Sequence, residues 1–583
     1  MNQLSVAAYV FLLFLFSLST SIGSTTNPTL RIAFGSCSQS TREQLVWGAL
    51  KHRNIDAFVW LGDIIYADQP IFAKWREPAT LLDIAEQYAL QNKRADYQDF
   101  LLHGGRNQQP PLVLGVWDDH DLGINDADVR VPDEFKNASQ ALLFDFLKIP
   151  IDSQLRQRRG AYSAWDIEVM KGDSGLRRLV GEDEVRTPNK HVRLRVRLIL
   201  LDVRTHRAPW GAESHDVLGQ EQWDWLRRTL EKKDHAEAAV TLIGSGIQIL
   251  APGDPPVTEG WFRAPGALAR LVALIAATKT RGAILLSGDV HFGELNVAEG
   301  ARKVIKYPLW EFTSSGLTHS WEGILKGTTA LTLLLGTTRA LLPQGLPYIP
   351  DDESNKEPKS QCASNLPWHE LGWKFIHAFQ NIVQYNNGRS RSSSSHHQDS
   401  GLCFYAERNW GEIDIDVATE KEGGGEEEEE TGGGVVRLRL WGEDGTVRLK
   451  HELQFNQLQK PLNSVEEGVS DEDIAACASA DLSAGLPIVC QSILAAILPP
   501  ISFATKVRYF GAHFALIVGV VIAILAIFLL PCFAIVHGVH SAPQLFPRLP
   551  SLIAKAVVVA MIAVLTTLVL TPLLQFVADA LMT

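Results

Sequence analysis

Apolar residues in the middle of the chain follow two patterns that alternate along the sequence. Short, wholly apolar runs predict buried strands, and longer stretches with apolar residues three and four apart predict helices. The predicted strands cover residues 31–35, 57–61, 112–117, 192–202, 239–243 and 283–286. The predicted helices cover residues 44–52, 80–99, 219–230 and 261–278. This alternation predicts one large α/β domain over residues 29–457.

Residues 411–455 show a different pattern, which begins with a strand predicted over residues 413–417. Apolar and basic residues alternate at 436–440 and again at 447–450, with a Gly-Glu-Asp-Gly turn sequence between them. This pattern predicts an antiparallel hairpin. Residues 420–434 consist largely of Gly and Glu, which cannot bury a core, so a disordered insert is expected there.

Long uncharged runs occur at both ends of the chain. Residues 6–18 are apolar and precede small residues, which predicts a signal peptide over 1–23, with an uncleaved anchor as the alternative. Residues 514–536 and 556–578 carry no charge over a length that can cross a bilayer, so two transmembrane helices are predicted. Residues 458–507 are expected to be a linker with an interfacial segment, and residues 482–505 are the alternative third span.

The residues between the two predicted spans include Arg548 and Lys555 and no acid, which places them in the cytosol. The large domain is then luminal or extracellular, on a membrane of the secretory pathway or at the cell surface. The triplet that begins at Asn137 is a possible glycosylation site in such a compartment.

Charge and cysteine content narrow the function classes. The formal net charge is −12 over 583 residues, which argues against a nucleic-acid-binding surface, because such surfaces are basic. Six cysteines are too few for a disulfide scaffold in a chain of this length. In an oxidising lumen Cys362 could pair with Cys403, or Cys477 with Cys490, and the sequence leaves the pairing open.

Acidic residues follow three of the predicted strands directly. Asp63, Asp119 and Asp289 each come just after an apolar run, and the carboxyl ends of strands are where α/β sheets bind ligands. Clustered carboxylates hold metal ions, and two metals provide the charge neutralisation that phosphate ester hydrolysis needs. We expect Asp63 to bridge two metals and the other two acids to extend the cluster.

Four further residues are candidate metal ligands. The thiol of Cys37 and the phenol of Tyr66 give anionic donors, which favour a high-valent iron over magnesium or calcium. His291 stands two residues after Asp289, on the same side of a segment expected to be extended. Asn125 offers an amide oxygen that suits calcium. Ordinary core packing is the alternative for the thiol and the phenol, and a loop cap is the alternative for the amide.

Two residues are candidate catalytic groups. His120, beside Asp119, is predicted to protonate the leaving alkoxide or hold the phosphate, with a structural role as the alternative. Arg204, at the end of the strand predicted over 192–202, is predicted to meet a substrate phosphate, with a salt bridge as the alternative. Asp118 and Asp121 are expected to orient the ligands.

Seven short motifs occur in a fixed order along the chain. They are FGSC at 34–37, LGDIIY at 61–66, WDDHD at 117–121, LDVR at 201–204, LGQEQW at 218–223, GDVH at 288–291 and NWGEI at 409–413. Over residues 29–455 the chain resembles the PhoD-like alkaline phosphatases. The resemblance implies a calcineurin-like metallophosphatase fold, an α/β/β/α sandwich of two mixed sheets packed face to face between helices. It also implies an active site that contains iron(III) and calcium.

These observations predict a membrane-tethered metallohydrolase of phosphate mono- or diesters, in which a metal-bound hydroxide attacks phosphorus. Its substrates would be soluble esters or lipid head groups near the bilayer. The alternative is a catalytically silent luminal binding or scaffold protein on the same fold. Such a relative is expected to have lost at least one acid, and Asp63, Asp119 and Asp289 are all present.

Overall fold

A computed structural model describes most of the chain between residues 29 and 497. The described residues are 29–68, 78–106, 109–170, 177–182, 191–231, 238–250, 259–320, 364–365, 404–405, 407–417, 433–459 and 468–497. The predicted signal peptide, both predicted transmembrane helices, Cys362, Cys403 and nearly all of the Gly/Glu insert lie outside them. Within the described residues, no helix combines the length and apolar character needed to cross a membrane.

The described residues form two β-sheets with helices packed against them. The strands are β1 Leu30–Gly35, β2 Ala57–Leu61, β3 Leu112–Val116, β4 Ser163–Met170, β5 Arg177–Gly181, β6 Val192–Leu201, β7 Val240–Ser245, β8 Ala283–Ser287, β9 Gly293–Ala298, β10 Leu309–Ser314, β11 Ser364–Asn365, β12 Phe404–Tyr405, β13 Asn409–Val417, β14 Gly434–Gly442 and β15 Val447–Gln454. The helices are α1 Val46–Lys51, α2 Leu81–Lys93, α3 Ala95–His103, α4 Asp133–Phe146, α5 Gln220–Glu231, α6 Pro265–Ala277, α7 Arg302–Ile305, α8 Phe455–Gln459, α9 Asp471–Ala478 and α10 Gln491–Ile497.

Each sheet contains a parallel group of strands that all end at one edge. In the first sheet the order is β15-β14-β13-β1-β2-β3, with β1, β2 and β3 parallel and the rest antiparallel. In the second sheet the order is β11-β9-β10-β8-β7-β6-β4-β5, with β6, β7, β8 and β10 parallel. These parallel groups set the carboxyl ends of seven strands, and the loops that follow them, beside one another.

The two sheets share a layer of apolar side chains. Phe34 of β1 meets Phe312 of β10 edge to face, with 5.1 Å between the ring centroids. On β6, Val196, Leu198 and Leu200 point into this shared layer, while Ile199 and Leu201 point to the other face, where α5 and α6 pack. This division follows from the two-residue period of a strand, which sends neighbouring side chains to opposite faces. β6 is therefore buried on both sides, as its apolar run predicts.

The sequence predicted most of these elements to within a few residues. The predicted strands at 57–61 and 283–286 and the hairpin at 436–450 are confirmed. The single helix predicted over 80–99 is wrong, because Arg94 is extended and separates α2 from α3. Its guanidinium donates to the carbonyls of Ser40 and Arg42, at 3.0 and 2.9 Å, so tertiary contacts hold the break in place.

The segment predicted as a linker also differs in the structure. Residues 468–497 fold into α9 and α10, and buried residues of both helices join those of α6 in one apolar cluster. Cys477 in α9 and Cys490 form a disulfide, which is one of the two pairings that the sequence left open. The uncharged residues 482–497 are thus part of the folded domain, and residues 498–505 lie outside the described chain.

Candidate metal centre

Loops that leave four parallel strands carry the predicted ligands to one place. Cys37 follows β1 and Asp63 follows β2 in the first sheet, where Asp119 also follows β3. Asp289 follows β8 in the second sheet. Because the two sheets lie face to face, residues at the ends of strands from both can approach the same point.

The backbone at this point is held in an unusual conformation. Cys37, Asp63, Asp289 and His291 all have positive φ angles, of 61°, 48°, 71° and 59°. Residues other than glycine rarely adopt such angles, and the cost is of order 1–3 kcal/mol each, so they persist only where the surroundings fix them. The segment from Asp289 to His291 is therefore a turn, and the expectation that it is extended is wrong.

Three groups of acidic and imidazole side chains have donor atoms close enough to share a cation. Within each group all of these atoms lie within 4.8 Å of one another. The groups are Asp63 with Asp119 and His120, Asp118 with Asp119 and Asp289, and Asp119 with Asp126 and Glu259. Asp119 belongs to all three, so the structure brings Asp63, Asp119 and Asp289 together in one cluster.

The thiol and the phenol lie on the Asp63 side of this cluster. The Oδ2 atom of Asp63 accepts from the hydroxyl of Tyr66 at 2.9 Å and from the Cys37 sulfur at 3.4 Å. The Oδ1 atom of Asp63 is buried and has no hydrogen-bond partner among the described residues. A buried carboxylate oxygen without a partner is costly, and a cation bound at Oδ1 would remove that cost.

Arg204 is buried against the carboxylates of the cluster and does not reach the solvent. Its guanidinium is fully buried; it donates to Asp118 Oδ2 at 2.9 Å and to Glu259 Oε2 at 2.6 Å, and it lies 3.6 Å from Asp119 Oδ1. The prediction that Arg204 meets a substrate phosphate therefore does not fit the structure. Its charge instead compensates carboxylates that would otherwise repel one another.

His120 is also buried, and a carboxylate orients its ring. The Nδ1 atom lies 2.7 Å from Asp68 Oδ1, and the ring packs against Tyr66 with 4.1 Å between centroids. A histidine whose Nδ1 is bonded to a carboxylate has a fixed orientation and tautomer, which is typical of imidazoles that bind metals or phosphates through Nε2.

Three predicted ligands, Cys37, Asn125 and His291, are in none of these groups. Among the carboxyl groups of the cluster, the Cys37 sulfur contacts that of Asp63. Asn125 is exposed, and it is the neighbouring Asp126 whose carboxyl group joins Asp119 and Glu259. The backbone N–H of Asp126 also donates to Asp119 Oδ2 at 2.7 Å. His291 is in none of the three groups; its ring lies 4.5 Å from that of His319, which in turn lies 4.8 Å from Tyr66.

The electrostatics show an excess of buried negative charge. Burial, and then the neighbouring carboxyl groups, raise the pKa of Asp63 and that of Asp289 well above the usual range. Burial raises the pKa of Asp118 to about 6 although Arg204 opposes the shift. Asp119 is buried too, but Arg204 and His120 hold its pKa below the ordinary value. A bound cation would favour the ionised form of every one of these acids.

Several residues around the cluster were not anticipated from the sequence. They are Asp68, Asp126, Glu259, Ser315 and His319. Asp68 and Asp126 share loops with predicted ligands, so their proximity in sequence was a usable signal. Glu259 stands 14 residues after the end of β7 and belongs to no motif, and only the fold brings it to Arg204.

Comparisons with known proteins give a weak likeness in structure and none in sequence. No protein-family model matches the chain, and no curated protein matches it significantly. A solved structure described as "Structure of PhoD" matches with a TM-score of 0.40 and 14% sequence identity. The match covers 77% of this chain and 76% of that one. A likeness at this level carries no argument about function, which has to be argued from the site itself.

Proposed function

We propose that this protein is a metal-dependent hydrolase of phosphate esters, built as an α/β/β/α sandwich of the PhoD-like kind. One observation carries the proposal: Asp119 shares a potential cation site with Asp63 from the first sheet and another with Asp289 from the second. Adjacent cation sites that share a carboxylate are the arrangement that two-metal phosphoesterases use. When bound, the cations would neutralise the phosphoryl oxygens and activate a water molecule.

The donor set fits such ions and favours two kinds. Cys37 and Tyr66 both contact Oδ2 of Asp63. They would supply an anionic sulfur and an anionic oxygen, and such donors suit iron(III). Asp119 and Asp289 would supply carboxylate oxygens, which suit calcium or another hard cation. The Oδ1 atom of Asp63, which has no hydrogen-bond partner in the described part of the chain, would gain a partner in a bound cation.

Other residues would orient the substrate and the ligands. We assign His120, fixed by Asp68, to donate an N–H hydrogen bond to a phosphoryl or leaving oxygen, which leaves Asp63 and Asp119 as the cation ligands of the group that these three residues form. The guanidinium of Arg204 favours the ionised forms of Asp118 and Asp119 and holds their carboxylates in place. Asp121 accepts from the backbone N–H groups of Ile64, at 3.1 Å, and Asp118, at 2.9 Å, and so ties the loops after β2 and β3 together.

The cellular setting is part of the proposal. The uncharged runs at 514–536 and 556–578 support a membrane tether, and the Cys477–Cys490 disulfide supports an oxidising compartment such as the lumen or the cell exterior. There the substrate would be a soluble phosphate ester or a lipid head group.

Hydrolysis of aryl phosphate mono- and diesters by the purified full-length chain tests the function. We expect turnover that is lost with a chelator and restored by metal. Asp63→Asn should lower kcat by more than about 100-fold, because about 2.7 kcal/mol of Lewis-acid stabilisation is already worth that factor. Asp152→Asn removes one charge from an exposed turn and should have no effect. Absence of metal and of turnover after reconstitution would overturn the proposal and favour a silent binding protein.

A further inference from the structure

The loop that follows β10 ties together the loops that follow β1 and β8. The backbone N–H of Leu317 donates to Ser36 O at 3.2 Å, and that of Thr318 donates to Cys37 O at 3.3 Å. The N–H of Ser315 donates to Phe292 O at 3.0 Å. Residues 315–318, which belong to none of the seven motifs, therefore hold the Cys37 loop against the loop that carries His291.

Within this loop, the hydroxyl of Ser315 touches both neighbours. Ser315 is fully buried, and its Oγ accepts the backbone N–H of His291 at 2.8 Å. The same Oγ lies 3.0 Å from the sulfur of Cys37. A thiolate only accepts hydrogen bonds, so in the thiolate form that binds metals the Ser315 hydroxyl is the donor to the sulfur.

The other neighbours of the sulfur are less suited to this role. Asp63 Oδ2 at 3.4 Å and the carbonyl of Asp289 at 3.7 Å are acceptors, so neither stabilises a thiolate. The hydroxyl of Ser36 is 3.5 Å from the sulfur and donates to Ser314 O at 3.4 Å. The hydroxyl of Tyr66 also hydrogen-bonds to the sulfur, but it donates to Asp63 Oδ2 at 2.9 Å. At 3.0 Å, the contact of Ser315 is shorter than those of Asp63, Asp289 and Ser36.

We propose that Ser315 is a positioning residue of the metal centre, which fixes the Cys37 sulfur by a hydrogen bond while its oxygen anchors the turn at His291. The inference rests on the proposed metal site, because it assigns Cys37 as a ligand. Outer-shell hydrogen bonds of this kind commonly change metal affinity by 10–100-fold.

Cobalt(II) binding to the full-length chain, followed by thiolate-to-cobalt charge-transfer absorption, tests the assignment. Ser315→Ala should weaken cobalt binding by about 10-fold or more and shift the absorption band. Ser315→Thr keeps the hydroxyl and should restore both. Ser36→Ala is the matched control, since it removes a neighbouring hydroxyl and leaves the Ser315 contact in place.

The outcomes separate this inference from the proposed function. A wild-type band that Cys37→Ser abolishes, together with an unchanged band and affinity in Ser315→Ala, overturns the role of Ser315 alone. Equal shifts in Ser36→Ala and Ser315→Ala also overturn it. A wild-type protein that binds cobalt and hydrolyses esters without a thiolate band removes Cys37 from the ligands, and the inference fails while the function stands. If the wild-type protein neither binds metal nor hydrolyses esters, both the role of Ser315 and the proposed function are overturned.

Discussion

At the scale of single residues, position in sequence predicts three of the acids that reach the site but not how their backbones are held. Asp63 and Asp289 were predicted because each follows an apolar run, and local sequence is enough to reveal that. Their positive φ angles, 48° and 71°, depend on the loops packed around them. The role of Arg204 could not be predicted from sequence for the same reason. An arginine at the end of a strand can either contact substrate or pair with buried acids, and the tertiary structure determines which of the two occurs.

Gly62 gives a prediction at this scale, because it has both a positive φ and a close neighbour. Its φ is 80°, and a Cβ built there would lie 2.3 Å from the Cβ of Asp118. Gly62→Ala should therefore displace Asp118, lower the free energy of unfolding by more than about 3 kcal/mol and reduce metal retention. Chemical denaturation and elemental analysis measure the two effects.

Gly211 is the matched control for that substitution. Its φ is 81°, yet nothing lies within 4 Å of a Cβ built there. Gly211→Ala should cost only the backbone term, about 1 kcal/mol, and should leave metal content unchanged. Similar losses in the two variants would show that the contact with Asp118 does not constrain Gly62.

At the scale of elements, strands with strong apolar runs were predicted well and weakly patterned ones were missed. β2 and β8 are wholly buried and apolar except for Ser287, whereas β4, β9 and β10 each carry more than one buried polar residue. In β4, Asp166 pairs with Arg197 of β6 at 2.9 Å, a contact between residues 31 apart in sequence. Such pairing hides a buried strand from a hydrophobicity pattern, because the compensating charge comes from a distant segment.

The disulfide between Cys477 and Cys490 gives a prediction for the C-terminal helices. It joins residues separated by 13 positions and links α9 to the turn before α10. Reduction should lower the free energy of unfolding by about 3 kcal/mol, the value expected for a loop near this length, because the unfolded chain regains freedom. Denaturant unfolding with and without reductant measures this.

Hydrogen exchange identifies the segments that lose stability when the disulfide is reduced. After reduction, amides of α9 and α10 should exchange faster, and those of the central strands β2 and β8 should be unchanged. Identical unfolding curves in the two conditions would contradict the prediction and show that apolar packing on α6 holds the two helices without the cross-link.

At the scale of the whole molecule, the contact between the two sheets sets both the site and the stability. His451 of β15 lies in that contact, and its ring centroid is 4.3 Å from that of Trp310 on β10. Burial lowers the pKa of His451 to about 4, although Glu452 opposes the shift. Folding therefore keeps this imidazole neutral at pH values where the unfolded chain, with a pKa of about 6.5, is protonated.

The contribution of His451 to stability should accordingly fall as the pH is lowered from about 6.5 to 4, because over this range its imidazole binds a proton in the unfolded state and not in the folded state. Asp63, Asp118 and Asp289, whose pKa values are raised by folding, contribute with the opposite sign, so the effect of His451 is measured as a difference between variants. The loss attributable to His451 is about 2–3 kcal/mol. The difference in the free energy of unfolding between the wild type and His451→Gln should change by this amount over the range, and the difference between the wild type and His52→Gln, at an exposed position, should stay constant. Urea unfolding across the range measures the slope, and an unchanged slope in His451→Gln would contradict the assignment.

The sequence by itself determined the central strands, the hairpin and the three acids at strand ends, because each of these depends on residues that are neighbours along the chain. The tertiary structure decided that Asp119 joins acids from both sheets, that Arg204 is buried beneath them, and that Ser315 reaches the sulfur of Cys37. Those contacts join segments far apart in sequence. They exist only once two sheets pack face to face, and no local pattern encodes which distant side chains that packing brings together.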